Sequence, residues 1–306
     1  NFGYKDIMLK DMAGNTTNIT STIQGGKLRG MLDMRDTEIA QVKDKLDRLT
    51  AGFVREFNRV HQVGQGMDGK TGRNFFNPLS ATVRSNTANT GSASVAVSNA
   101  SPSTASVDKY EFTFTGANTV SLKNLTSGQA SGTYTFAAGA AFNVAGGMAV
   151  TIAGSAASGD KFRISISQNA MISVAESGQI INDTRLIAAG KTSTSDGSNA
   201  LDLAALQGSK NFDGVSMTSA GSGSFTFDDF YNAIVTNMGV SSQTTQSNYT
   251  EQQGVLTLLG NRRESADGVS IDEEMINMVK FQQAYNASAR LLNTVNEMFA
   301  ALERSI

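Results

Sequence analysis

The 306-residue chain has no cysteine, no tryptophan, two prolines and one histidine. Without cysteine there are no disulfides, no thiolate metal sites and no thiol catalysis. A single histidine, His61, excludes a multi-histidine metal site and argues against a histidine-based catalytic triad. A formal net charge of -2 gives no electrostatic pull toward nucleic acid or an anionic membrane. Thirty glycines against two prolines make the chain supple rather than stiff. No basic segment followed by an apolar run stands at Asn1, so the start does not read as a secretory signal; it reads as a fragment or a processed chain. Asn124 to Gly159 carries no charged residue, but Gly, Ser, Thr and Asn interrupt it throughout, which marks sheet and loop rather than a membrane span.

The strongest positive signal is at the C-terminus. Steps of 3 and 4 from Met278 reach Phe281, Tyr285, Ser288, Leu292, Val295, Phe299, Leu302 and Ile306, all but the serine apolar or aromatic. Such steps keep side chains on one helix face, and a stripe sustained this long points to partner helices. The upper part, Met278 to Tyr285, is expected to pack on an upstream helix of the same chain. The lower part, Leu292 to Ile306, is expected to wait for another chain. Ser270 with Glu273 has the capping-box spacing at the start of this helix. The methionines Met275, Met278 and Met298 read as core packing or as an adaptable partner surface.

Charge is unevenly distributed. Residues 1–80 hold 21 charged side chains, whereas the much longer stretch 81–225 holds 16. A composition shift of this kind marks a domain inserted between two arms. The first arm opens with a short hairpin around Ile7 and Leu9, then a helix from about Met31 to Val60. Its stripe is Leu32, Ile39, Val42, Leu46, Leu49, Phe53 and Val60, broken by Arg35 and Glu56, with Lys and Arg on the other face. The Gly-rich run after His61 ends it. In the middle, apolar residues alternate with period two at Tyr110, Phe112 and Phe114, at Val120 and Leu122, at Tyr134 and Phe136, at Met148, Val150 and Ile152, and at Phe162, Ile164 and Ile166. This predicts an antiparallel meander with one buried face. The last arm begins near Phe227, with Asp228 or Asp229 as cap and Phe230, Ile234 and Met238 at helical spacing. Residues 241–253 are polar, Val255, Leu256, Leu258 and Leu259 restore an apolar face, and a loop is expected around Ser265 to Gly268.

Several motifs carry a chemical reading and a plainer one. Gly64 to Thr71 (GQGMDGKT) matches the phosphate-loop pattern and contains G-x-G-x-x-G. A phosphate loop needs a strand before it and a helix after it. Here a helix precedes it and Gly72 to Pro78 follows, so the plainer reading is a turn that ends the helix. Asp68-Gly69 supplies one carboxylate, far short of a calcium loop. Asp272, Glu273 and Glu274 suit a helix N-terminus, and His61 a helix C-terminus, by the helix dipole alone. Asn18, Asn124, Asn182 and Asn248 head Asn-x-Ser/Thr triplets, which a chain rich in these residues produces by chance.

The stretch Gly268-Val269-Ser270-Ile271-Asp272-Glu273-Glu274, followed by Asn277 to Arg290 (NMVKFQQAYNASAR), resembles the C-terminal signature of the flagellar axial proteins, in the form carried by the hook-associated, hook–filament junction members. Gly25 to Asp36, Phe57 to His61 with Gly69 and Phe75-Phe76, and Met148 to Gly154 with Gly159 to Phe162 agree with the same family. The long N-terminal helical region of that family is almost wholly absent.

The resemblance implies an elongated, multi-domain α+β protein. A discontinuous helical rod domain, residues 1–84 and 169–306, would carry an inserted antiparallel β domain, 85–168, with the helix 270–306 in the axial core. It implies a structural subunit that joins hook to filament, with no enzymatic activity, no cofactor and no metal. The interface would be Met278, Phe281, Tyr285, Leu292, Val295, Phe299, Leu302 and Ile306. Expected partners are the hook protein, a second junction protein, copies of itself and an export chaperone on the C-terminal helix, with no nucleic acid and no membrane. Expected localisation is the flagellum outside the cell, reached by the flagellar type III route. The alternatives are another axial protein such as a hook protein and, distantly, a nucleotide-binding enzyme using Gly64 to Thr71.

Overall fold

The computed structural model describes residues 5–99, 106–213, 216–217, 222–267 and 271–304. The chain divides into two compact units, Asn1–Met238 and Gly239–Ile306.

The first unit begins with the expected hairpin, β1 (Met8–Lys10) paired antiparallel with β2 (Thr16–Asn18). Helix α1 (Gly26–Asp33) then runs through a π-helical turn at Met34–Glu38 into α2 (Ile39–Val63). The helical stretch therefore starts five residues before the predicted Met31. At the π-turn the Ile39 N–H bonds to the Met34 carbonyl, one residue further back than in an α-helix. Arg35, which interrupts the apolar stripe, pairs there with Asp36 at 2.5 Å. Helix α2 stops at Gly64, where a side chain has no room: a Cβ would stand 2.2 Å from Asn199 Nδ2 and 2.8 Å from the Ala188 carbonyl.

Eight strands follow: β3 (Thr82–Ser85), β4 (Ser94–Asn99), β5 (Lys109–Gly116), β6 (Thr119–Asn124), β7 (Ala130–Thr135), β8 (Ala141–Val144), β9 (Met148–Ala153) and β10 (Lys161–Ser165). The alternation of Tyr110, Phe112 and Phe114 does place all three side chains inside, as it does for Val120 with Leu122 and for Met148, Val150 and Ile152. The single meander does not hold. The strands form two antiparallel sheets, ordered β3-β10-β5-β6-β7 and β4-β9-β8. Only β5-β6-β7 and β8-β9 follow chain order; β10 returns beside β5, and β4 pairs with the distant β9. The inward residues of both sheets make one core, in which Phe114 meets Phe136 and Phe162 edge-on. Two sheets bury two sets of alternating faces against each other, which a single meander cannot do.

From Ser167 to Thr226 the chain returns to α2 as short pieces: α3 (Ala170–Ser173), α4 (Gly178–Asn182), α5 (Ser198–Ala205) and a small hairpin, β11 (Phe212–Asp213) with β12 (Ser216–Met217). Side chains of α2 hold this wrapping by hydrogen bonds to backbone. Asp47 accepts from the Asn169 and Met171 N–H groups, both at 3.1 Å. Asn58 holds a different stretch, the one that follows α2, by bonding both the N–H and the carbonyl of Phe76. A second core gathers Ala51, Val107, Ala170, Phe212, Phe230 and Ile234.

Helix α6 (Phe227–Asp267) starts in the first unit and ends in the second. Its cap is Thr226 rather than Asp228 or Asp229. The Thr226 hydroxyl accepts from the Asp229 N–H at 3.1 Å, and the Asp229 carboxylate accepts from the Thr226 N–H at 3.0 Å, a reciprocal box. Phe230 and Ile234 are buried, but Met238 is exposed, so the packed stretch of α6 is short. The loop expected from Ser265 is helical to Asp267; Gly268 and the predicted cap Ser270 lie outside the described residues. Helix α7 (Ile271–Glu303) completes the second unit.

Candidate assembly interface

Helix α7 has 33 residues without a proline or glycine, and its first turn holds Asp272, Glu273 and Glu274. Acidic side chains there favour the partial positive charge of the helix N-terminus, and the uninterrupted interior lets the helix propagate. The seam is therefore presented on one continuous helix. Met278, Phe281, Tyr285, Leu292, Val295, Phe299 and Leu302 all lie on α7; Ile306 lies outside the described residues. No described residue of α7 is buried, and Ala300 alone is partly covered. In the second unit the upper part is bare: Met278, Phe281 and Tyr285 are 64, 75 and 76% exposed. The described residues of the lower half are exposed as well, Val295 least at 37%. In the same unit, Val255, Leu256, Leu258 and Leu259 on α6 are exposed as well.

A second apolar surface, in the first unit, escaped the sequence reading. Leu49, Phe53 and Phe57 of α2, Leu203 of α5, and Phe227 and Tyr231 of α6 line a groove of about 490 Å³. The stripe on α2 assigned Leu49 and Phe53 to the core, yet Phe53 stays exposed on the groove wall. Phe53 lies 5.8 Å from both Phe76 and Phe227 by ring centroid, in an aromatic cluster that continues through Phe57 and Phe75. Three segments far apart in sequence build the groove, so no local periodicity announces it.

The polar features of the first unit are structural. At Gly64 to Thr71 the loop turns through Gly69 (φ 70°), and an irregular stretch follows rather than a helix. Asp68 pairs with Arg73 at 2.5 Å, which holds its carboxyl far below the usual carboxylate range. A carboxylate in that position would repel a phosphate. His61 is fully buried. Its Nδ1 lies 2.9 Å from the Arg73 carbonyl, and its Nε2 accepts from the Ala188 N–H at 3.0 Å. Those partners fix a neutral ring that donates from Nδ1, and burial pushes its pKa below 6.5. The dipole explanation for His61 is thus replaced: a dipole would favour the cation, and this site holds the neutral ring. Among the described residues, no three His, Cys, Asp or Glu side chains gather in a way that could hold a metal ion. Among the described residues no helix is long and apolar enough to cross a membrane.

Known proteins agree on both ends of the chain. Residues 3–76 match the family model described as "Flagellar hook-associated protein FlgK helical domain". Residues 265–305 match the model described as "Flagellar basal body rod FlgEFG protein C-terminal". Flagellar hook-associated protein 1 of Escherichia coli is 29% identical over 291 residues, which cover 95% of this chain and 51% of that protein. The protein of the same name from Salmonella typhimurium is 28% identical over 301 residues, covering 95% and 52%. That from Bacillus subtilis is 33% identical over 70 residues, 23% of this chain and 14% of its own length. The chain thus spans about half the length of the first two relatives. Among solved structures, the flagellar hook junction protein FlgK of Burkholderia pseudomallei shares the fold, with a TM-score of 0.66 at 17% identity over 87% of this chain and 68% of that one.

Proposed function

We propose that this chain, a homologue of flagellar hook-associated protein 1, serves as a structural subunit of the bacterial flagellum that joins hook to filament. The observation that carries the reading is the bare seam of α7. A helix with Met278, Phe281, Tyr285, Leu292, Val295, Phe299 and Leu302 all in water has apolar area to bury and no use for it within its own unit. Burying such side chains is worth about 1.5–3 kcal/mol each, so the seam is a strong drive toward helices of other subunits. Ile306 extends the same face in sequence. On this reading the partners on α7 are the hook protein, a second junction protein and further copies of this chain. An export chaperone would cover the same helix before assembly. The protein then acts outside the cell, after export by the flagellar type III route, and works by packing rather than by catalysis.

The domain division belongs to this proposal. Residues 1–84 with 169–306 form the rod and 85–168 the outward domain, which takes the sandwich from the last residue of β3 to β10. Another axial role, such as that of a hook protein, would use the same C-terminal helix. The match of residues 3–76 to the hook-associated helical domain favours the junction.

The test is incorporation into flagella. The double variant Leu292→Asp/Phe299→Asp puts two unpaired charges into the seam, and each is costly once desolvated. Cells carrying the double substitution in the full-length gene product are expected to be non-motile, with the variant absent from isolated flagella. Normal motility would sink the reading.

A further inference from the structure

We propose that α7 carries an oxidation-sensitive site for assembly, formed by the thioethers of Met275, Met278 and Met298. The inference rests on the assembly reading above and adds a chemical control to it. Met278 is a seam residue. Met298 lies three residues after Val295 and four before Leu302, so it flanks the seam on the same face. Met275 precedes Met278 by three. All three are exposed, Met278 by 64% and Met298 by 68%, whereas Met148 in the sandwich core is 1% exposed. A thioether reacts with peroxide in proportion to its access. The peroxide O–O bond breaks, one oxygen forms an S–O bond to Sδ, the sulfur loses two electrons, and water leaves. The product is a polar sulfoxide in place of a flexible apolar side chain.

On an exposed helix this change is nearly neutral, so the unassembled chain tolerates it. In a seam it is not, because the sulfoxide must be desolvated without a hydrogen-bond donor opposite it. The seam supplies few: of its nine positions only Tyr285 and Ser288 bear a hydroxyl, and the other seven are hydrocarbon or thioether. Oxidation therefore acts before assembly and separates competent from incompetent subunits. Once packed, the same sulfurs are sheltered. Leucine would fill these positions equally well by volume and helix propensity, so the methionines confer reactivity that packing alone does not require.

The experiment treats the full 306-residue chain with hydrogen peroxide. Oxidation at each methionine is followed by peptide mass spectrometry, and binding is measured to purified hook structures from cells lacking their own hook-associated protein 1. Met275, Met278 and Met298 are expected to oxidise at least tenfold faster than Met148, with binding falling at least tenfold. Methionine sulfoxide reductases of both stereospecificities should restore it. Compared with its own untreated binding, the variant Met275→Leu/Met278→Leu/Met298→Leu should change less than twofold on the same treatment, although exposed methionines elsewhere, such as Met12 and Met67, are still oxidised. Equal loss of binding in the triple variant would overturn the inference, as would unchanged binding of the oxidised wild-type chain. If the untreated chain itself fails to bind hooks, the assembly reading falls and takes this consequence with it. A loss confined to treated wild-type protein cannot come from that failure.

Discussion

Helices α2 and α7 make opposite use of their side chains. Helix α2, the shorter of the two at 25 residues, buries even its charged groups: Asp47, Arg48, Arg55 and Glu56 are all inside. Helix α7, with 33 residues and a longer apolar stripe, buries nothing. Polarity alone does not set burial here. What decides it is the supply of partners. Glu56 is held by Arg55 at 3.0 Å and by Arg59 at 2.7 Å, and Asp47 by Lys43 and two backbone N–H groups. The α7 seam has no such company in its own unit. A helix finished by its own chain and a helix left unfinished can thus be told apart by what their polar groups touch.

The comparison breaks most directly at Glu56. Replacing it with alanine leaves Arg55 buried beside Arg59 with its nearest counter-charge gone. Burial already lowers the pKa of Arg55, and Glu56 is the chief influence opposing that shift. Removing one partner of a buried pair costs about 3–5 kcal/mol. Glu56→Ala is expected to lower the unfolding free energy of the first unit by that amount, read by urea unfolding. A loss below about 1 kcal/mol would mean that the pair behaves as a surface pair and that the contrast between the helices is overstated.

Glu56 also shows where sequence reading succeeds and where it stops. In the stripe of α2 it registers as an interruption, because hydrophobic periodicity treats a carboxylate as a solvent-facing residue. Its two arginines sit one and three residues away, yet charge spacing alone does not distinguish a buried triad from a wet one. The sandwich was easier to read: Phe112, Phe114, Val150 and Ile152 alternate strictly and are all fully buried. Its pairing order was not, since β4 with β9 and β3 with β10 are set by contacts across long stretches of chain. Residues 169–226 were the least legible. They are anchored through backbone groups received by Asp47 and His61, and a backbone N–H leaves no mark on composition or period. Helix α7 was legible as a helix, and its seam as an apolar face, from spacing alone. Its exposure from Met278 onward was not, because periodicity reports that a face wants cover without saying whether the chain supplies it.

A smaller effect is expected at His61, the one buried ionisable group of α2 held without an opposite charge. Its neutral ring donates to the Arg73 carbonyl and accepts from Ala188, and the Arg73 charge further disfavours protonation. Below pH 6.5, its ordinary value, the unfolded chain takes up a proton that the folded chain does not. Stability is therefore full above pH 6.5 and falls as the pH drops toward the depressed folded value, by at most about 1.4 kcal/mol per pH unit. The lowered carboxyls of Asp160 and Asp229 act in a separate, more acidic window, below their ordinary 3.8. Urea unfolding of the first unit between pH 7 and 5 should show this slope. His61→Gln, which keeps a donor and an acceptor but does not titrate, should flatten it. An unchanged slope in the variant would assign the dependence elsewhere.

The smallest expected effect is the one that sharpens the comparison most. Leu292→Asp/Phe299→Asp removes two large apolar side chains from α7, a change that in a packed helix costs several kcal/mol. Here both residues are exposed, so folding removes little of their surface from water and the transfer term that drives such losses is nearly absent. Only helix propensity is left, about 0.5 kcal/mol or less per site, and it falls on α7 rather than on the first unit. The unfolding free energy of the first unit in urea should therefore move by no more than about 0.5 kcal/mol, while incorporation into flagella is lost. A large loss of stability in the isolated chain would show that the seam already has a partner within it. A small loss together with failed assembly would place the whole energetic role of these side chains between subunits, where Glu56 and its arginines have none.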